Sequence, residues 1–285
     1  MRYRFLRYPE GKFKAVTFSY DDGCRWDIQL AAIFNKYGLK GTFNLNSRWF
    51  GKSETDWHLT KDEIQKHIVD AGHEIATHGA EHRANGNLRA IEGIQDVLNC
   101  RLGLEKDFGM IVRGLAYPDT GICHFNNGAN IQNISHYLKE LDIVYARTLG
   151  KINDSFELPQ DWYQWMPTAH HDNDETMELV EKFLALEEAS YHARRAPKLF
   201  YLWGHSYEFH EKNNWERIEE ICEKLSGKDD TWYATNIEIY EYVNAYNSLI
   251  FSADSCTVYN PTLKQLWFDA DCKLFTIKPG ETLKI

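Results

Sequence analysis

Short apolar, β-prone runs recur along the chain, and most are followed by a stretch with helical periodicity. That alternation predicts βα units around parallel strands, about seven in number. The predicted strands are KAVTFSY (14–20), GTFNLN (41–46), HEIAT (73–77), IVRGLAY (111–117), DIVYART (142–148), KLFYLW (198–203) and TWYAT (231–235). Among the amphipathic stretches between them is TKDEIQKHIVDAG, where Thr60 and Glu63 form a capping box and Gly72 supplies the stop. Residues 149–174, rich in Trp, Pro, His and Asp, show no period and exceed an ordinary βα connection, so they read as a functional loop. Beyond the helical pattern of 236–248, short alternating runs broken by turn residues (CTVYN, QLWFDA, KLFTIKPGETLKI) predict a small β appendage.

Composition narrows the function classes. The 285 residues are 43% hydrophobic and 26% charged, enough to bury a sizeable core in a globular α/β body. A formal net charge of -10 disfavours a phosphate-backbone ligand, whose binding draws on clustered Lys and Arg, so nucleic acid is not an expected partner. The six cysteines are scattered without a C-x-x-C pair, which predicts neither a disulfide scaffold nor a cysteine metal site. The first residues lack the apolar run of a signal peptide and nothing later reaches a membrane span. The expectation is a soluble, cytoplasmic protein.

The chemistry is concentrated in a few strand ends. AVTFSYDDG (15–23) ends an apolar run with Asp21 and Asp22, side by side before a glycine. Asp-Asp-Gly is good turn chemistry, but two adjacent carboxylates also suit a site where one holds a cation and the other takes a proton. GHEIATHGAEH (72–82) supplies His78 and His82, four residues apart, which can converge on one metal ion. It is not the zincin motif, because the histidine after His73-Glu74 comes one residue too late. Asp22 with the two histidines makes a two-His, one-carboxylate set that leaves coordination positions for water and substrate. Asp21, unligated, is then placed to accept a proton from water at the cation. Three further stretches fall in register: YLWGHSYEF (201–209) with His205, RGLAYPDTG (113–121), and DWYQWMPTAHHD (161–172) with Asp161, its aromatic residues and the His170-His171 pair.

Taken together these motifs resemble the polysaccharide deacetylases of the NodB-homology type, carbohydrate esterase family 4. SYDDG is similar to T-F-D-D-G, THGAEH to H-[ST]-x-x-H with Gly79 at the Ser/Thr position, AYPDTG to the third motif, DWYQW to the fourth and LWGH to the fifth. The resemblance spans roughly 14–245. It implies a distorted (β/α)7 barrel, here 1–248, with the β appendage at 249–285. By position it implies Asp21 as general base, Asp22, His78 and His82 as ligands of a divalent metal, and His205 as general acid. Zinc is the first choice of cation; the ligand set also suits cobalt, nickel or iron. The Tyr117 backbone N–H is expected to hold the oxyanion, and Trp162 or Trp165 to wall the acetyl pocket. Where the family often has an Arg anchoring the base, this chain has Ala116, which leaves Arg113 as the candidate anchor. Asp161 is the first candidate for the carboxylate that tunes the acid, with His170, His171 or Asp172 as rivals. The implied activity is removal of acetyl groups from an N-acetylated, or O-acetylated, carbohydrate. Two other readings are opening of a cyclic amide or related C–N bond on the same barrel, and a silent carbohydrate-binding module.

Overall fold

The computed structural model describes residues 2–285. In chain order the strands are β1 (Arg4–Arg7), β2 (Lys14–Asp21), β3 (Gly41–Leu45), β4 (Glu74–Thr77), β5 (Gly114–Ala116), β6 (Tyr145–Arg147), β7 (Ala169–His170), β8 (Lys198–Gly204), β9 (Thr231–Tyr233), β10 (Ile250–Phe251), β11 (Thr257–Tyr259), β12 (Leu266–Ala270), β13 (Lys273–Ile277) and β14 (Thr282–Lys284). A curled parallel half-barrel runs β6-β5-β4-β3-β2-β8-β7. β9 pairs with the first part of β2, at Lys14–Val16, and β3 with its second part, at Phe18–Asp21. This is the expected distorted α/β barrel with small antiparallel sheets at the C-terminus.

β2 is its central stave. All eight of its residues are buried, because helices and neighbouring strands cover both faces, as parallel sheets require. On one face Phe18 packs against Phe34 of the helix Asp27–Lys36, with ring centroids 4.7 Å apart, and burying each such side chain contributes about 1.5–3 kcal/mol. The polar residues of β2 face inward and are satisfied there. Thr17 donates to Asn236 Oδ1 at 2.9 Å and Ser19 accepts from Asn44 Nδ2 at 2.8 Å. Asp21 thus leaves β2 from a fully packed frame, which fixes where its carboxylate points.

β5 and β6 are shorter than predicted. Asp142 takes φ 54, and Arg113 NH2 donates to its carboxylate at 2.8 Å. That exposed ion pair turns the chain at the entry to both strands, before pairing begins. The Thr60–Glu63 capping box forms as expected, with the Thr60 N–H donating to Glu63 Oε2 at 2.9 Å.

The appendage consists of two three-stranded antiparallel sheets, β1-β12-β13 and β10-β11-β14. One of them takes its edge strand from the N-terminus. It packs on the helix Asn236–Asn247, whose Tyr242 hydroxyl donates to Arg7 O at 3.0 Å and accepts from Trp267 N at 3.1 Å. All six cysteines are free thiols. Among the described residues no helix is long and apolar enough to cross a membrane.

His73, just before β4, is structural. Its Nδ1 accepts the Gly41 N–H at 3.1 Å, and burial pushes its pKa from 6.5 down to about 4. Since the folded value lies below the unfolded one, its stabilising contribution is complete above pH 6.5 and is lost as pH falls toward 4. The shift corresponds to about 3 kcal/mol. Denaturant unfolding at pH 7 and pH 4 is expected to show His73→Gln losing less stability than wild type on acidification, by that amount. Equal losses would mean that His73 does not titrate in the fold.

Candidate metal and catalytic site

The site lies at the carboxyl ends of β2, β4 and β8, where loops leave a parallel barrel and where such folds assemble their reactive groups. Asp22 follows β2 with φ 77, a left-handed conformation that Asp tolerates better than most residues, and its N–H donates to Asn44 O at 3.0 Å. This kink turns Asp22 toward the loop after β4. Gly79, in that loop, has φ 71, and a Cβ there would lie 2.3 Å from Asp96 Oδ2. Asp96 in turn accepts the Glu81 N–H at 2.8 Å. Glycine at 79 therefore lets the loop close on Asp96 and carry both imidazoles inward, from a loop and not a helix.

Asp22 Oδ1 lies 3.6 Å from His78 Nε2 and 3.4 Å from His82 Nε2, and one ligand atom from each of the three lies within 4.8 Å of the others. His78 Nδ1 is 2.9 Å from Ala116 O. Donation to that carbonyl puts the proton on Nδ1 and leaves the Nε2 lone pair facing Asp22, the outer support typical of ligating histidines. Asp22 Oδ1 is buried and has no hydrogen-bond partner. A buried carboxylate oxygen without a donor is costly, and its proximity to two imidazole nitrogens fits a cation at that point. Burial lowers the pKa of His78 despite the two aspartates, which keeps it neutral and able to ligate.

Asp21, beside this group, is 2% exposed. Its Oδ1 accepts from Asn44 Nδ2 at 2.8 Å, and its Oδ2 accepts from Arg147 NH2. Burial would raise its pKa, but Arg147, His78, His205 and Asn44 outweigh that and hold it below the ordinary carboxylate value. His205 Nε2 lies 3.9 Å from both Asp21 Oδ2 and Asp22 Oδ2. Burial lowers its pKa, yet Glu208 with Asp21 and Asp22 carries it above its ordinary value.

Several expected partners lie elsewhere. Arg113 is engaged with Asp142 at the entry to β5 and does not anchor Asp21; Arg147, at the end of β6, does so. The Arg147 guanidinium is fully buried and lies 4.2 Å from the Trp203 ring centroid. Asp161 caps a short 3-10 turn, accepting from Tyr163 N at 2.9 Å and Gln164 Nε2 at 2.7 Å, and not from His205. The carboxylate beside His205 is Glu208, with Oε2 3.5 Å from His205 Nδ1 and 3.4 Å from the His205 backbone N. The Tyr117 N–H is spent on Arg147 O at 3.1 Å within the sheet, so it is not free for an oxyanion. Trp165 is 1% exposed and packs against Tyr145 and Tyr201, while Trp162 packs against Tyr240. Trp165 belongs to the core and Trp162, partly buried, packs against it; Trp203, 5.9 Å from His205 by ring centroids, is the tryptophan beside the acid candidate.

Arg147 and Asn44 carry a signal in the sequence, since an arginine and an asparagine inside apolar strand runs must meet a buried partner.

Comparison with known proteins agrees with this frame. Residues 3–142 match the family model described as polysaccharide deacetylase. Over that span, just under half of its length, the chain is similar to the polysaccharide deacetylases. Among solved structures, the chain is similar to one described as a putative polysaccharide deacetylase from Mycobacterium smegmatis, at 19% identity and TM-score 0.58, covering 85% of this chain and 94% of the other. It is also similar to the Xyl-CE4 domain of a multidomain xylanase from the hindgut metagenome of Trinervitermes trinervoides, at 19% identity and TM-score 0.52, covering 82% of this chain and 92% of the other. At these identities the likeness concerns the fold. Comparison with curated proteins gave no match.

Proposed function

We propose that the protein is a metal-dependent hydrolase that removes acetyl groups from an N-acetylated or O-acetylated carbohydrate. The observation that carries this reading is the orphaned Asp22 Oδ1 facing His78 and His82, with a second carboxylate and a third imidazole directly beside it. Asp22, His78 and His82 would hold the cation, zinc being the first expectation for two imidazoles and one carboxylate. Bound there, a divalent cation lowers the pKa of water and polarises an acyl oxygen.

The chain's own groups do the rest. Asp21, ionised by its contact with Arg147, accepts the proton of the attacking water at Oδ2. His205, with Nε2 3.9 Å from Asp21 Oδ2, donates its Nε2 proton to the departing nitrogen or oxygen. Asn44 and Arg147 fix Asp21 through both oxygens, so its geometry is set before substrate arrives. Glu208 beside His205 Nδ1 favours the protonated ring that an acid needs.

The match to the polysaccharide deacetylase model and the barrel-end location support a carbohydrate substrate. Acetate release from acetylated chito-oligosaccharide and acetylated xylan, measured before and after chelation and after zinc add-back, tests the reading. Activity lost on chelation and restored by zinc is expected, and turnover that survives full metal removal would overturn it. His205→Ala is expected to lower kcat by about 10²–10⁴-fold with zinc content unchanged. Loss of zinc in that variant would reassign His205 as a ligand.

A further inference from the structure

A second group of metal-type side chains lies next to the first, at the ends of β7 and β8. His170, His171, Asp172 and Glu208 each place one ligand atom within 4.8 Å of the others. His171 is fully buried, and neither of its ring nitrogens has a hydrogen-bond partner. Its Nε2 is 3.1 Å from Glu208 Oε2 and 3.5 Å from Asp172 Oδ1, yet it makes no hydrogen bond to either. Such spacing without alignment is what atoms show when they face a common third point. The edge of a tetrahedron with metal–ligand bonds of ~2.0–2.1 Å is about 3.3 Å.

The ring is held for this purpose. Phe209 stacks on His171 with centroids 4.0 Å apart, and Tyr20 covers it at 5.7 Å, nearly parallel. Arg217 Nε donates to His171 O at 2.8 Å and its NH2 to Asn173 O at 2.8 Å, fixing the backbone. Gly204 makes the space: a Cβ there would lie 1.9 Å from His171 Nδ1. His170 has a different part. Its Nδ1 accepts the Asp172 N–H at 3.2 Å, so the neutral ring carries its proton on Nε2, 3.2 Å from Glu208 Oε2. It supports Glu208 from outside the ligand set. Lys212 pairs with the other Asp172 oxygen, Oδ2, and leaves Oδ1 toward His171.

We propose that His171 Nε2, Asp172 Oδ1 and Glu208 Oε2 form a second divalent-cation site of the zinc–manganese class, separate from the one at Asp22. One imidazole with two carboxylates suits a borderline or hard divalent ion and leaves positions for water. The site has a route to solvent through its two carboxylates, since the Asp172 and Glu208 side chains are each partly exposed. Glu208 faces both this point and His205 Nδ1, so the two sites share a carboxylate neighbour.

The test is zinc stoichiometry of the metal-free full chain, by calorimetric titration and by elemental analysis after gel filtration. Two equivalents are expected for wild type, one for Asp22→Asn, one for His171→Gln and none for the combined variant. If His171→Gln does not fold, Asp172→Asn, altered at a partly exposed carboxylate, is expected to give one equivalent in its place. A wild type that binds one zinc, lost in Asp22→Asn and kept in Asp172→Asn, overturns the second site and leaves the proposed hydrolase intact. A single zinc kept in Asp22→Asn and lost in Asp172→Asn supports the second site and overturns the hydrolase's metal centre. No binding by wild type overturns both.

Discussion

Asp22→Asn is expected to abolish turnover and to separate the stability of the metal-free protein from that of the loaded one. Asparagine keeps the size of the side chain and tolerates the left-handed φ of 77 at this position, so the fold is preserved. In the metal-free protein the substitution removes a carboxylate whose Oδ1 is buried without a donor, and the variant is expected to unfold at the same temperature as wild type or higher. With zinc the order reverses. A ligand held only by the native state stabilises by about 2.7 kcal/mol at 100 times its dissociation constant, and wild type gains this at the Asp22 site while the variant does not. Affinity at that site is expected to fall by more than the ~10–100-fold typical of losing an outer partner. Thermal melts with and without zinc, beside acetate release, check both halves. A variant that gains as much as wild type from zinc at the first equivalent would remove Asp22 from the ligand set.

The order of strands and the chemistry at their ends were legible in the sequence because both are local. Apolar runs mark buried staves; Asp21 ends one of them with Asp22 next in the turn, and His78 and His82 share one short loop, so spacing limits where their side chains can go. What the sequence hid is non-local. Arg147 is far from Asp21 along the chain and reaches it only because β6 and β2 curl toward each other around one end of the sheet. Arg113, closer to the expected motif, sits at the opposite end of its strand, a distance that motif alignment does not measure. Glu208 is a similar case: its place beside His205 follows from one short helical turn, but its contacts with His170 and His171 depend on β7 and β8 pairing in register. Tyr117 illustrates the reverse error, since a backbone N–H at a strand end is free only if the neighbouring strand stops before it, and β6 does not.

Arg147→Met is expected to be the most damaging single change to the fold. The guanidinium is fully buried, donates to Asp21 Oδ2 and lies over Trp203. Methionine fills much of its length but leaves the Asp21 carboxylate charged, buried and supported by Asn44 alone. Breaking a buried pair by removing one partner typically costs 3–5 kcal/mol, a large share of the roughly 5–15 kcal/mol that holds a domain together. Asp21→Asn errs in the opposite sense, stranding Arg147, whose Nε and NH1 already lack partners. The pair is therefore best tested as a cycle. Each single variant is expected to lose stability, while Asp21→Asn combined with Arg147→Met, with neither charge left, is expected to recover at least half of the larger loss in denaturant unfolding. Acetate release is expected to behave differently: the double variant stays as inactive as Asp21→Asn, because restored packing does not restore a proton acceptor. Zinc binding at Asp22 should persist throughout, since neither residue supplies a ligand. Additive stability losses in the cycle would show that the two charges do not depend on each other, and recovered activity in the double variant would show that Asp21 is not the base.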